Sequence, residues 1–257
     1  MLVLLSPAKT LDYHQQAPFK DHTLPDFLKE TSSLASELKR KKVKDLQELM
    51  GVSEKIATVN VERFKAFNVP FPETEAKQAI YAFNGDVYAG LKASEWSYEQ
   101  LLFAQAHLRI LSGFYGLLRP LDLMMPYRLE MGTKLKTKRG KDLYQFWGDG
   151  VTLAINGDLE KQQKEDKVII NLASLEYAKV VSPKALIAAK IDIEFRNKVK
   201  GVYQVVGLHA KYARGLMASY ICRHQLTHQE ALKDFAEEGY RYDAVQSTDT
   251  KWIFLGQ

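Results

Sequence analysis

Apolar positions along this chain follow two rhythms, one of helical period and one of short unbroken runs. Leu2–Leu5 is a continuous apolar run closed by Ser6-Pro7, which predicts a buried strand feeding a polar loop as far as Thr10. Residues 12–25 are polar and read as surface loop. Pro25 is placed to open a helix to about Leu38, with Phe27, Leu28, Leu34, Ala35 and Leu38 apolar. Leu46 to Met50 predicts a second, short helix that stops at Gly51, because glycine takes φ > 0 without a Cβ penalty. Ser53 then stands at the N-cap of a third helix, with Glu54 in its first turn and Ile56, Val59, Phe64 and Phe67 on its apolar side.

Pro70 and Pro72 end that helix, and another is predicted over residues 76–83. Asn84-Gly85-Asp86 reads as a turn before a short strand at Val87-Tyr88. Leu101, Leu102, Leu108 and Leu111 recur at helical spacing and predict one helix over residues 98–111. From Leu111 to Gly132 the chain is rich in Gly, Pro, aromatic residues and single charges. Such a stretch is expected to wind against the core, with Arg119, Asp122, Arg128 and Glu130 held in internal pairs. Lysines alternate with Thr133, Leu135 and Thr137, which predicts an exposed strand with its lysines on one face. Residues 155–163 finish a helix and 167–172 form a buried strand. Residues 191–195 and 202–207 flank a hairpin turn at 197–201. A helix runs from His209 past Ile221, Thr227 and Glu230 suggest a capping box for a further helix, and Trp252 to Leu255 closes as a strand. No repeat or linker divides the chain, so one compact mixed α/β (α+β) domain over residues 1–257 is expected.

The 257 residues are 46% hydrophobic and 26% charged, as in an ordinary globular protein able to bury a large core. With 36 basic and 31 acidic residues the formal charge is +5 and the pI about 9.0, compatible with nucleic acid but insufficient to argue it. The single cysteine, Cys222, excludes an intrachain disulfide. Met1 to Leu5 lacks a basic leader, Pro7 and Lys9 end the apolar run too early for a signal peptide, and no stretch reaches membrane-spanning length. A cytoplasmic protein without a membrane partner is the expectation.

The chemistry concentrates in three places. The turn Gly51-Val52-Ser53 exposes backbone N–H groups at a helix N-terminus with Lys55 beside them, a ready anion site, and the basic run from Lys39 to Lys44 precedes it. This stretch resembles the helix-hairpin-helix element of DNA-repair proteins, whose turn usually runs Gly, apolar, Gly; here Ser53 replaces the second glycine. An ordinary αα-hairpin packed into a core is the other reading. Lys138, Arg139 and Lys141, followed by Tyr144, Phe146 and Trp147, are suited to tracking a nucleic-acid backbone, and Lys211 and Arg214 extend the candidate phosphate contacts. The alternative is an enzyme acting on a small anionic or nucleotide-like ligand. Polar clusters follow the buried strands: Ser6, Lys9 and Thr10; Asn171, Ser174 and Glu176; then Lys211 and Arg214, with Arg119 and Arg128 between. If they converge, Lys9 would act as nucleophile or electrophile once desolvation lowers its pKa. Direct thiol or metal chemistry has the least support. Cys222 lacks the upstream proline of a thiol-peroxidase motif, and His224 and His228 fall on different predicted elements. No metal or cofactor is expected.

Several blocks in order resemble the peroxide-stress-resistance protein YaaA family. They are Leu5-Ser6-Pro7-Ala8-Lys9-Thr10-Leu11; Leu108 to Gly113, onward to Arg119-Pro120-Leu121-Asp122; Pro126-Tyr127-Arg128-Leu129-Glu130-Met131-Gly132; Arg139 to Trp147; Val168 to Ser174; and Lys211-Tyr212-Ala213-Arg214-Gly215. The resemblance runs from the first residues to about Gly239. It implies a bacterial cytoplasmic protein of the hydrogen-peroxide stress response, tied to lower free intracellular iron and to protection of DNA from oxidative damage. It also implies sequence-nonspecific DNA binding, to duplex or branched DNA, through a positively charged cleft and a helix-hairpin-helix element at about residues 43–67. The mixed α/β fold would be peculiar to the family. No catalytic residue follows from the resemblance.

Overall fold

The apolar run Leu2–Leu5 forms strand β1, and all four of its side chains are buried. In the computed structural model, which describes residues 1–72, 74–162 and 167–256, β1 is the hub of the main sheet. After it come β2 (Thr10–Leu11), the helices α1 (Leu28–Lys39), α2 (Val43–Met50) and α3 (Glu54–Ala66), then β3 (Lys77–Gln78), α4 (Ala79–Ala82), β4 (Phe83–Asn84), α5 (Asp86–Leu91) and α6 (Tyr98–His107). The middle of the chain gives β5 (Leu108–Ser112), β6 (Gly116–Leu118), β7 (Leu123–Met124), α7 (Leu143–Trp147), α8 (Gly150–Lys161) and β8 (Val168–Asn171). The remainder gives α9 (Leu175–Ala178), β9 (Ala189–Val199), β10 (Val202–Gln204), α10 (Gly207–Arg223), β11 (Arg241–Thr248) and β12 (Lys251–Gly256).

The main sheet runs β11-β12-β9-β8-β1-β5-β6, with β10 paired to the end of β9. Its five middle strands are mutually parallel, and β11 and β6 close the edges in antiparallel sense. Strands β1, β5 and β8 are buried along their whole length, which is why β1 and most of β8 are continuous apolar runs rather than alternating ones, while the buried Arg109 of β5 is held by Asp158. Two short antiparallel ribbons, β2–β4 and β3–β7, lie outside this sheet. One hydrophobic core extends from Met1 to Phe254. Helix α10 lies against α5 and β9, and the α5 crossing is unusually close. A Cβ on Gly215 would fall 1.8 Å from the Val87 carbonyl oxygen, and one on Gly90 would fall 2.2 Å from that of Tyr212. Among the described residues no helix is long and apolar enough to cross a membrane.

Several expected elements differ. The helix expected over residues 98–111 ends at His107, and Leu108–Ser112 is instead the strand next to β1. A short apolar run fits either period, and pairing with β1 decides it. Residues 76–83 split into β3, one turn of helix and the start of β4. Buried Lys77 and Gln78 donate to the Asp12, Phe19 and Asp21 carbonyls and hold the chain extended. Val87 and Tyr88 lie in α5 rather than a strand, because packing on α10 overrides β propensity. Helix α1 starts at Leu28, after Arg119 has engaged Leu24 and Asp26 and fixed the preceding turn.

Further along, Thr133 to Lys136 do alternate buried and exposed, but no ladder forms. Only Thr137 and Gly140 pair, across a tight turn. The β9–β10 turn shrinks to Lys200-Gly201, at φ +50° and +87°, the backbone of a two-residue hairpin. Thr227 caps nothing; a 3-10 turn follows at residues 229–234. Strand β11 was not expected from the sequence. Gln163, expected in a helix end, lies outside the described residues. The expected internal pairs of the 111–132 stretch are present, Arg119 with Asp122 and Arg128 with Glu130.

Candidate functional site

The α2–α3 hairpin is built as its sequence implies. Lys42 N–H donates to Asp45 at 2.8 Å to start α2, and Gly51 ends it in the left-handed region at φ 60°, ψ 44°. Ser53 is extended and occupies the N-cap position of α3, yet its side chain makes no capping hydrogen bond. The first-turn amides of α3 are therefore not capped by the serine. A Cβ on Gly51 would meet nothing within 4 Å, so this glycine serves the backbone angle rather than close packing. Gly51, Ser53 and Lys55 are exposed, while Val52 packs partly against the core. Ala57, Asn60, Val61 and Phe64 form the buried side of α3; Val59, expected there, is 44% exposed.

The basic residues of the 137–140 turn stand elsewhere on the surface. Thr137 N–H donates to the Gly140 carbonyl at 2.8 Å, which leaves Lys138 and Arg139 at the tip. Arg139 reaches Glu30 of α1 at 3.4 Å and lies over the Phe146 ring at 5.1 Å. Lys141 is exposed, and its N–H is held by Gln145. On α10, Lys211 is exposed, with its amine 4.0 Å from Asp86. Arg214 is half buried, and its Nε is wholly buried without a hydrogen-bond partner. Burial lowers its pKa against the opposing pull of Glu194. No hydrogen bond or ion pair among the described residues joins Lys211 or Arg214 to the hairpin.

A second constellation forms where the parallel strands end. The next sheet strand after β1 is β5, on one side; the next after β8 is β9, on the other. Such a reversal between adjacent parallel strands opens a crevice beyond their carboxyl ends, the usual place for a ligand in an open α/β sheet. Here the two loops meet. Ser174 N–H donates to Ser6 Oγ at 2.8 Å, the two hydroxyls lie 3.4 Å apart, and the Tyr88 hydroxyl donates to the Ser6 carbonyl at 3.1 Å. Three residues after Ser6, the Lys9 amine sits 3.3 Å from Glu130, which also takes Arg128 at 3.2 Å. Glu176 accepts from Gly132 N–H at 2.9 Å.

A cleft of about 800 Å³ runs from this junction to the hairpin. One wall carries Lys41, Asp45 and Glu48 with the end of α2; the other carries Lys9, Glu130 and Glu176, and Lys134 also lines it. Its lining is thus mixed in sign.

Of the expected ligand-cleft residues, Ser6, Lys9, Arg128, Ser174 and Glu176 come together through these contacts. Asn171 lies just beneath, with its amide donating to Asp192 and its carbonyl oxygen taking Ala173 N–H. Thr10 lies in β2, paired with Asn84 of β4, and Arg119 is held by Asp122, Asp26 and Leu24, away from the junction. Sequence reasoning missed a group of phenols. Tyr127 is fully buried with its hydroxyl 2.6 Å from Ser112, and Tyr13, Tyr88, Tyr115 and Tyr177 lie close enough to feel it. Burial raises the pKa of all five, so they are neutral hydrogen-bonding groups. Nothing local in the sequence marks them, because they come from five separate stretches. Cys222 is buried and its thiol is pushed up by that burial, the opposite of an activated thiolate. Among the described residues no His, Cys, Asp and Glu cluster could hold a metal ion.

The fold and the junction thus define a mixed α/β protein with a mostly parallel sheet and a polar cleft at its carboxyl edge. The family model described as peroxide stress protein YaaA matches residues 1–246. Curated relatives span the same length. The UPF0246 protein of Cupriavidus metallidurans is 48% identical over 99% of this chain and 98% of its own. Those of Cupriavidus pinatubonensis and Ralstonia pickettii are 49% and 48% identical with the same coverage. The chain belongs to the peroxide stress protein YaaA family.

Proposed function

We propose that this protein, a cytoplasmic member of its family, serves the peroxide stress response by holding DNA, duplex or branched, through its phosphate backbone and so protecting it from oxidative damage. The observation that carries this reading is the exposed hairpin turn, with Gly51 left-handed, Ser53 extended and making no cap, and Lys55 beside the α3 N-terminus. Amides and a positive charge so arranged favour a phosphate oxygen. Lys138 and Lys141, exposed, would add sequence-independent contacts. Fluorescence anisotropy with duplex and branched DNA across a salt series tests it. Affinity should fall steeply with salt and drop further in Lys55→Glu. No binding at low salt sinks the reading; binding untouched by Lys55→Glu moves the site away from the hairpin.

A second reading is favoured by one observation, the meeting of the Ser6 and Ser174 loops at the reversal between β1 and β8. In this reading the cleft takes a small anionic or nucleotide-like ligand. A thermal-shift panel of small anions and nucleotides tests it, with Gly132→Trp, at an exposed lining position, to fill the cleft. No stabilisation by any member of the panel would dismiss it.

A further inference from the structure

From Phe195 to Gln229 the chain carries six Lys and Arg residues and no Asp or Glu, although the two signs are nearly balanced over the whole chain. Four of the six are engaged or half buried. Arg196 is held by Glu194 and Gln246, Arg223 by Glu237, Lys211 stands 4.0 Å from Asp86, and Arg214 is half buried. The other two, Lys198 and Lys200, are exposed, and their side chains make no hydrogen bond or ion pair with a described residue. Both belong to the β9–β10 hairpin. Strand β12 accompanies β9 as far as the pair of Gly256 with Asn197; past it the two arms have only each other among the described residues. In this antiparallel register Tyr203 lies directly opposite Lys198, so the two side chains leave the same face, and Lys200 stands in the turn beside them. Tyr203 is 39% exposed. Its ring meets no other aromatic ring, and its hydroxyl no hydrogen-bond partner, among the described residues. Asn197 and Gln204, the next pair, face the other way, where Asn197 is buried and accepts from the Tyr240 hydroxyl at 3.0 Å.

A solvated ring beside two uncompensated amines is matched by a partner that is flat and anionic within one unit. A nucleotide of an unpaired strand is such a partner, because its base can lie on the ring while its phosphate meets an amine. A base inside a duplex already has both faces stacked, and the carboxylates of an acidic protein would use the amines and leave the ring idle. We infer that Tyr203, with Lys198 and Lys200, forms a stacking platform for unpaired nucleotides of a nucleic-acid strand. It rests on the nucleic-acid reading of the protein, and adds a surface other than the α2–α3 turn and a form of strand other than the duplex.

The test is fluorescence anisotropy of the full chain with three labelled probes of equal length: an oligothymidylate strand, its abasic counterpart and its duplex. The abasic strand keeps every phosphate and lacks the bases, so wild type should bind it at least about fivefold more weakly than the thymidylate strand. Tyr203→Ala should weaken the thymidylate strand by a similar factor of about five or more and leave the duplex unchanged, while Tyr203→Phe, which keeps the ring, should bind as wild type does. Lys198→Ala should reduce the salt slope for the single strand by about 0.7, the share of one phosphate. Equal binding of the abasic and thymidylate strands would mark the hairpin as a surface for anions at large, acidic proteins included, and overturns the platform. So does a Tyr203→Ala variant that binds the single strand as wild type does, or one that loses single strand and duplex alike. If wild type binds no single strand at low salt the platform falls, while duplex binding sensitive to Lys55→Glu would keep the α2–α3 reading. If Lys55→Glu leaves duplex binding untouched and Tyr203→Ala still weakens the single strand, the α2–α3 reading fails and the platform stands.

Discussion

The hairpin turn and the β1/β8 cleft present their polar groups in different materials. The hairpin offers backbone: Gly51 in the left-handed region, Ser53 extended, and the first amides of α3 at an exposed surface. The cleft offers side chains: half-buried Glu130 in its lining, with Lys9 at the mouth and half-buried Arg128 both on that carboxylate, and Glu176 nearby. Charges at an open surface are screened within about 8 Å at physiological salt. A single phosphate is then held weakly, and affinity must come from many phosphates in register. Half-buried charges are screened less, so one ligand matters more, and its absence costs more. The first arrangement suits a polymer of repeated phosphates, the second a single small anion.

The harshest way to break this comparison is Gly215→Val. The added Cβ would lie 1.8 Å from the Val87 carbonyl oxygen, forcing α10 off α5. That contact sets Asp86 against Lys211, and α5 also carries Tyr88 to Ser6. We expect a loss of about 3 kcal/mol or more, the upper range for overpacking, read by urea denaturation. Hydrogen exchange should show the junction loosened before the α2–α3 hairpin; uniform loss of protection would show that the two regions are not independent.

A gentler break is Gly51→Ala. Nothing crowds the added methyl, so the cost is the left-handed backbone alone, about 1 kcal/mol. DNA affinity should fall with it, and any small ligand that stabilises the protein through the cleft should do so unchanged. An unaltered urea midpoint would refute the backbone argument. The smallest effect is a control that touches neither region. Burial alone would raise the Asp158 carboxyl, but Arg109 at 2.7 Å and Lys161 outweigh it and hold it below its ordinary 3.8. The folded state then binds fewer protons than the unfolded one near that value. The pair's stabilisation is complete above about pH 4 and is lost as pH falls through the lower folded pKa, an effect of about 1 kcal/mol. Asp158→Asn should flatten the acid limb of the stability profile and leave both binding reactions intact.

The two regions also differ in how far the sequence discloses them. The hairpin is local. Gly51, Ser53 and Lys55 stand within five residues, and glycine's backbone freedom marks the turn without reference to the rest of the chain. Strands β1 and β8 were legible for the same reason, as unbroken apolar runs. Strand β5 was not, because Leu108 to Leu111 continue the helical spacing of α6, and only the neighbour β1 makes them extended. The cleft is the extreme case. Ser6 and Ser174 stand in separate polar clusters of the sequence, and the contact that joins them spans 168 residues.

The central position of β1 also sets a timetable for synthesis. Its partners β5 and β8 lie more than a hundred and more than a hundred and sixty residues downstream. At roughly 5–20 residues per second, the ribosome needs on the order of ten to thirty seconds to deliver β8 after Leu2–Leu5 has been made. Until β5 follows, roughly five to twenty seconds after Leu2–Leu5 at the same rate, four consecutive apolar residues have no strand to join, and the nascent chain must keep them from other partners. The Ser6–Ser174 junction can close once β8 has paired, and β9 to β12, still to follow in the chain, are then added on that side of the sheet.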